Sequence, residues 1–312
     1  MRRYSRSAAS DTFDGGAVKN DNKTYKSGAI VKLIIWSVVL LILVSLFATL
    51  MILNNGNAFG LKELPAIMTT YKYDFPEKYS AGDAIYTDEV KKLDIEWISG
   101  DVTVKVYGGD EIKLEESGDI DEDADKMRTY LGDGTLYVRY AKSGMRWFGS
   151  IFSKSLTLYL PEKYAEDLDK ITLNAVSADV KTEGEVVCRE LNFEGVSGKM
   201  SMPSLSCDTV DIDTVSGNVT ISGKIGKIDV DAVSSNLTLK LSDAPRNVDV
   251  STVSGRVDMT IPKDCGFSAD LDSVSGIIRI NSKNVGKSHV HGDGASIFDF
   301  ESVSGDVRIT LE

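Results

Sequence analysis

Three letters, Val-Ser-Gly, return through the second half of the chain and restrict what it can fold into. They stand at Val196-Ser197-Gly198, Val215-Ser216-Gly217, Val253-Ser254-Gly255, Val274-Ser275-Gly276 and Val303-Ser304-Gly305. Looser copies sit at Ile98-Ser99-Gly100, Val176-Ser177-Ala178 and Val233-Ser234-Ser235. From Val176 onward the steps are 20, 19, 18, 20, 21 and 29 residues. Self-similarity at a fixed short period is the signature of a repeat architecture.

Take each Val as position 0. Positions −5 and −3 are apolar, as in Val210 and Ile212 or Val248 and Val250, and so are +4 and +6, as in Val219 and Ile221 or Val307 and Ile309. Period-2 alternation on both sides of a small-residue break reads as two short strands joined by a corner. Glycine at +2 suits a backbone that bends where a side chain would clash. No interval between copies leaves room for a crossover helix, so each coil of about 20 residues is expected to stack on the previous one, in register. The expected fold is all-β, a parallel β-solenoid. The serines at +1 form one column, and a corner hydroxyl bonding nearby backbone accounts for all of them without catalysis.

The outward columns at −4 and −2 hold Asp94, Glu96, Glu194, Asp211, Asp213, Asp229, Asp231, Asp249, Asp270, Asp272, Asp299 and Glu301. That is 12 acids in 16 places with no Lys or Arg, where 47 acids in 312 residues would place two or three. Like charges stacked across a ladder destabilise it. Either duplication copied a solvated acidic face, or the columns hold a divalent cation or a polycation that relieves the repulsion. The candidate binding face is Asp211, Asp213, Asp229, Asp231, Asp249, Asp270, Asp272, Asp299 and Glu301.

The first 32 residues carry seven Arg or Lys against three Asp and few large apolar residues, the composition of a disordered tail. Residues 33–53 are 21 in a row without a charge, enough to cross a hydrocarbon core as one helix. Basic charge before the span and little after it place the N-terminus in the cytoplasm and the rest outside the cytoplasmic membrane. A cleaved signal peptide is the competing reading, disfavoured by the long leading tail and long apolar stretch. Residues 54–91 read as a stalk, 92–166 as a less regular entry section and 167–312 as the regular solenoid. Beyond residue 53 there are 28 basic and 44 acidic residues, a surface that repels nucleic acid.

Three cysteines do not make a disulfide scaffold. Cys188 and Cys207 both fall at −8 of consecutive copies, where stacking brings them within reach of a disulfide or leaves a buried thiol pair. Cys265 has no evident partner. The entry section contains an acidic run, Asp119 to Asp125, read as a solvated loop, and an aromatic loop with Trp147, Phe148, Ile151 and Phe152, read as a cap over the stack or a partner-facing patch. The 29-residue step inserts Asn281 to Ala295. It includes His289 and His291, which point the same way from a strand but lack a third ligand of clear spacing. The chain stops right after its last strand. Either the insertion folds over that end, or the end offers itself for self-association by strand addition.

The repeated Val-Ser-Gly-x-Val, the phrases Leu158-Tyr159-Leu160-Pro161 and Met259-Thr260-Ile261-Pro262, and the single N-terminal anchor resemble the putative-adhesin β-strand-repeat family of membrane-anchored bacterial proteins. The resemblance spans about 93–312. It implies a β-solenoid outside the cytoplasmic membrane, and an association with cell-envelope stress, since some relatives are encoded beside envelope stress-response genes. No catalytic motif comes with it, so no catalytic residue is expected. The expected function is a non-enzymatic, adhesin-like binding module whose partner is an envelope protein, a wall polymer or a polycation. A self-assembling envelope scaffold is the first alternative. A carbohydrate-active enzyme on a β-helix is the second, by fold analogy alone.

Overall fold

The computed structural model describes residues 68–118, 120, 122–147 and 153–312. The expected tail, the anchor at 33–53, the stalk up to residue 67 and Phe148, Ile151 and Phe152 lie outside the described residues. Among the described residues, no helix is long and apolar enough to cross a membrane.

The described chain is all-β apart from single turns of helix such as Glu162–Ala165, with an 18-stranded sheet and a two-stranded one. The triplets stack in register. Ser177 pairs with Ser99 on one side and Ser197 on the other, Ser234 with Ser254, and Ser304 with both Ser254 and Ser275. The expected core columns are all buried, from Leu93 and Ile95 through Val210 and Ile212 to Phe298 and Phe300. The second strand of each coil buries its +4 and +6 side chains likewise, as at Leu237 and Leu239.

The corner glycines have a cause that lies in the neighbouring coil. Gly217 has φ +127°, and a Cβ there would overlap the carbonyl oxygen of Gly198 on the adjacent coil. With coils about 4.8 Å apart, a left-handed corner turns its Cβ into the adjacent coil, whereas Ala178 and Ser235 hold the same position without a positive φ.

Coil order departs from chain order at both ends. In the middle, 168–183, 186–201, 205–222, 225–241 and 247–261 follow one another. The next coil in space is the last in sequence: Ser296–Ser304 and Val307–Leu311 lie on Asn247–Ser254 and Val257–Ile261. Phe267–Ser275 and Ile278–Ile280 then stack on the far side of that coil. The 29-residue step supplies Lys283–Gly286 and Ser288–His291, which run back antiparallel along this outermost coil. The expectation that each coil stacks on its predecessor therefore fails here. The C-terminal strand has a neighbour on each side, so it offers no free edge for strand addition, and the insertion covers the outermost coil.

At the other end, Lys92–Tyr107 is not the first coil. Thr135–Arg139 and Lys154–Pro161 stack parallel beneath it, while Ile112–Gly118 and Arg128–Gly132 turn back antiparallel. Residues 68–91 are not a free stalk, since Met68–Tyr71, Ser80–Ala81 and Ala84–Tyr86 all pair into this end. Of the acidic run, Asp119 and Asp121 lie outside the described residues, and the rest is not uniformly solvated. Asp125 is buried, and Asp123 accepts a 2.9 Å bond from Arg128. A buried ion pair pins the section: Lys154 lies 2.9 Å from Glu116, over the rings of Trp97 and Tyr140, and Trp97 Nε1 donates to the Lys154 carbonyl.

Candidate functional site

Parity along the strand dictates the site. Positions 0, −2 and −4 share one face, so the triplet valine points outward beside the acidic columns. Val176 and Val196 are 46% and 49% exposed, and Val274 is 83% exposed. Valine at a solvent face fits the strand backbone but gives up its burial. Repeated on every coil, it makes an apolar stripe along the stack.

Over the five coils from Ile98 to Val233 the stripe sinks into a groove of about 890 Å³. Ile98, Val176, Val196, Val215 and Val233 form one wall, and Glu96, Asn174, Glu194, Asp213 and Asp231 the next column over. Tyr71 closes one end, its hydroxyl 3.5 Å from Glu96 and accepting the Tyr140 N–H at 3.1 Å.

The charges of the groove are unevenly matched. Arg139, from beneath the first repeat, pairs with Asp94 at 2.8 Å and Glu96 at 3.4 Å. Lys227 reaches Asp229 at 3.3 Å. Among the described residues no ion pair reaches Glu194, Asp213 or Asp231. Partial burial, then the carboxylates of Asp213, Asp229, Asp249 and Asp211, push Asp231 up to about 6. Asp211 and Asp213 are raised for the same two reasons. Glu301 is raised by burial and then by Asp249, Asp272, Asp231 and Asp299. The face thus holds more negative charge than it neutralises.

The nine acids expected from the repeat do share this face, in the spatial order Asp249, Asp299, Asp270 where the coils exchange. Uncharged side chains interrupt the −2 column: Asn174 pairs with Glu96 and Glu194, and Ser251 with Asp231 and Glu301. The Oδ1 of Asn174 is buried without a partner. Among the described residues, no three metal-ligating side chains converge on one point.

The remaining candidates are scattered. His289 and His291 lie on the outer antiparallel strand with rings 6.4 Å apart, and His291 stacks on Phe267 at 5.3 Å. Cys188 and Cys207 sit in one column with sulfurs 3.3 Å apart. Trp147 ends the strand Gly144–Trp147, which pairs with Met68–Tyr71; the rest of the aromatic loop is outside the described residues. Sequence reasoning missed the outward valines, although their parity with the acids was there to be read. It also missed Arg139, which no repeat position announces.

Residues 90–310 match the family described as Toastrack DUF4097. Among solved structures, a putative adhesin from Bacteroides fragilis is 16% identical over 74% of this chain and 96% of its own, with a TM-score of 0.43. A putative cell adhesion protein from Clostridium sporogenes is 13% identical, with coverages of 75% and 100% and a TM-score of 0.36. A putative lipid binding protein from Parabacteroides distasonis is 11% identical, with coverages of 74% and 97% and a TM-score of 0.33. Likeness at this level says nothing of a ligand. No curated protein matches the chain.

Proposed function

Since the chain belongs to the Toastrack DUF4097 family, we propose that it is a non-enzymatic binding module, held by the 33–53 anchor outside the cytoplasmic membrane, whose outer groove takes a cationic amphiphile. The partner lays basic groups along Glu194, Asp213 and Asp231 and an apolar side along Val176, Val196 and Val215. An envelope protein segment or a polycation with an apolar edge has this chemistry. The observation that carries the reading is the adjacency of unpaired carboxylates and exposed valines in one groove. A purely solvated acidic face needs no apolar stripe, and a purely apolar contact face would not stack carboxylates. Electrostatic attraction speeds capture and sets the sign of the partner, while the valines add affinity that salt does not screen.

The test is a titration of the full-length chain, in nanodiscs of zwitterionic lipid with empty discs as the blank. The probe is a peptide alternating Lys and Leu, with poly-lysine of equal charge as the comparison. The alternating peptide should bind saturably and more tightly than poly-lysine. Asp213→Asn with Asp231→Asn should weaken it about tenfold, about 1.4 kcal/mol, and Val196→Ser should weaken it separately at high salt. Equal binding of both probes, unchanged by either substitution, contradicts the proposal.

A further inference from the structure

Cys188 and Cys207 are direct partners on adjacent parallel coils, each 5% exposed, with sulfurs 3.3 Å apart. A ladder spacing of about 4.8 Å lies within the range of about 4.4–6.8 Å that a disulfide accepts between Cα atoms. Closing to a bond of about 2.05 Å asks for side-chain rotation and no backbone rearrangement. Both cysteines line a depression of about 440 Å³ on the side of the stack, away from the valine groove. A small thiol reagent can therefore reach sulfurs that are otherwise covered.

We propose that Cys188 and Cys207 form a reversible dithiol–disulfide site, oxidised by low-molecular-weight disulfides that enter this depression. The surroundings assign an order to the two sulfurs. The Cys188 thiol donates to the Cys207 sulfur, which holds Cys207 below its ordinary value, while sharing that proton and burial hold Cys188 up. Arg189, Lys224 and Arg246 stand at the depression, with Asp167, Asp208 and Asp243 interleaved. Two of the bases are already engaged, Arg189 with Asp169 at 2.6 Å and Lys224 with Asp243 at 3.6 Å. A guanidinium nitrogen of Arg246 lies close to Gly226. The charge that acts on both sulfurs is Asp208, which opposes a thiolate, so the proton held between the two sulfurs is what sets their order.

The exchange balances as follows. The Cys207 thiolate attacks one sulfur of the small disulfide, expelling one thiolate and leaving a mixed disulfide on Cys207. Cys188 loses its proton and attacks the Cys207 sulfur, the second small thiolate leaves, and the Cys188–Cys207 bond remains. The protein gives up two electrons and two protons; the small disulfide takes both electrons and becomes two thiols. The bond would tie 186–201 to 205–222, two coils that also carry Glu194 and Asp213 into the groove.

The test uses the full-length chain carrying Cys265→Ser, equilibrated with reduced and oxidised glutathione at graded ratios. After acid quench, samples are unfolded and alkylated for mass spectrometry. The expected result is a species lighter by two hydrogens, with no alkylated cysteine, that reverts under reductant and unfolds at a higher temperature than the dithiol form. Cys207→Ser in the same background should never lose two hydrogens. Two fully alkylated cysteines at the most oxidising ratio, or glutathione adducts without ring closure, overturn the proposal.

Discussion

The middle and the ends of this stack solve different problems with the same strands. In the middle, every coil meets an equal above and below, and one rule nearly suffices: buried side chains at −5, −3, +4 and +6, and glycine or another small residue at the corner. At the ends there is no equal to meet. A terminal parallel strand would leave its backbone donors and acceptors open, a template for aggregation. Both ends respond by breaking chain order and laying antiparallel strands along the edge. The entry end adds a pin, the buried pair Lys154–Glu116, with side chains 1% and 4% exposed. The exit end has no such pin: Lys283–Gly286 and Ser288–His291 bury no residue at all. Regularity thus supplies stability where neighbours repeat, and particular residues must supply it where they do not.

The sharpest way to break this comparison is at the pin. Lys154→Met keeps the aliphatic stem but leaves the Glu116 carboxylate buried and unpaired, which should cost about 3–5 kcal/mol of stability, read by urea denaturation of the full-length chain. A loss within experimental error would show that the entry end is held by strand pairing alone.

Corner glycines give the next largest contrast. Gly217→Ala in the middle puts a methyl into the backbone of the next coil and should cost about 3 kcal/mol or more. Gly286→Ala in the exit strands meets nothing within 4 Å and faces only its φ of +89°, a cost of about 1–2 kcal/mol. Equal costs at the two sites would remove neighbour contact as the reason for the corner glycine.

A smaller effect concerns charge. Asp231 in the folded chain titrates near 6, above the ordinary unfolded value near 3.9. The folded state then binds this proton more tightly, so stability rises as pH falls from 7 through 6 towards 4, and is lost again as pH rises through 6. Asp213, Asp211 and Glu301, raised in the same direction, add to it. Because Asp231 is exposed in part and screened by solvent, its share should be about 1 kcal/mol. Asp231→Asn should raise the melting temperature at pH 7 and flatten its dependence between pH 7 and 5. A wild-type melting temperature that falls over this interval contradicts the stacked-carboxylate account.

Much of the middle could be read from the residues alone. A hydrophobic period of 2 and a step near 20 fix the coil, its core columns and the acidic face, and the −8 column brings Cys188 to Cys207. Coil order at the ends could not be read this way. Ser254 accepts Ser304 as a neighbour in the same register that Ser275 would have offered, because all coils carry the same template. What separates the two orders is the antiparallel pairing of 283–291 with the outermost coil, which no repeat position encodes. The partly neutralised end of the groove was hidden for a related reason. Arg139 and Tyr71 come from the entry section, where side chains follow local packing and not a period.

The exchange of coils at the exit end sets Asp299 between Asp249 and Asp270, and it can be tested by cross-linking. Full-length chains would carry Ser254→Cys with Ser304→Cys, or Ser254→Cys with Ser275→Cys, on a background in which the native cysteines are serine. Mild oxidation should close a disulfide in the first chain, whose positions are direct partners, and leave the second open, since a whole coil separates its positions. Ready closure of 254 to 275, with 254 to 304 left open, would restore chain order and contradict the stack described here.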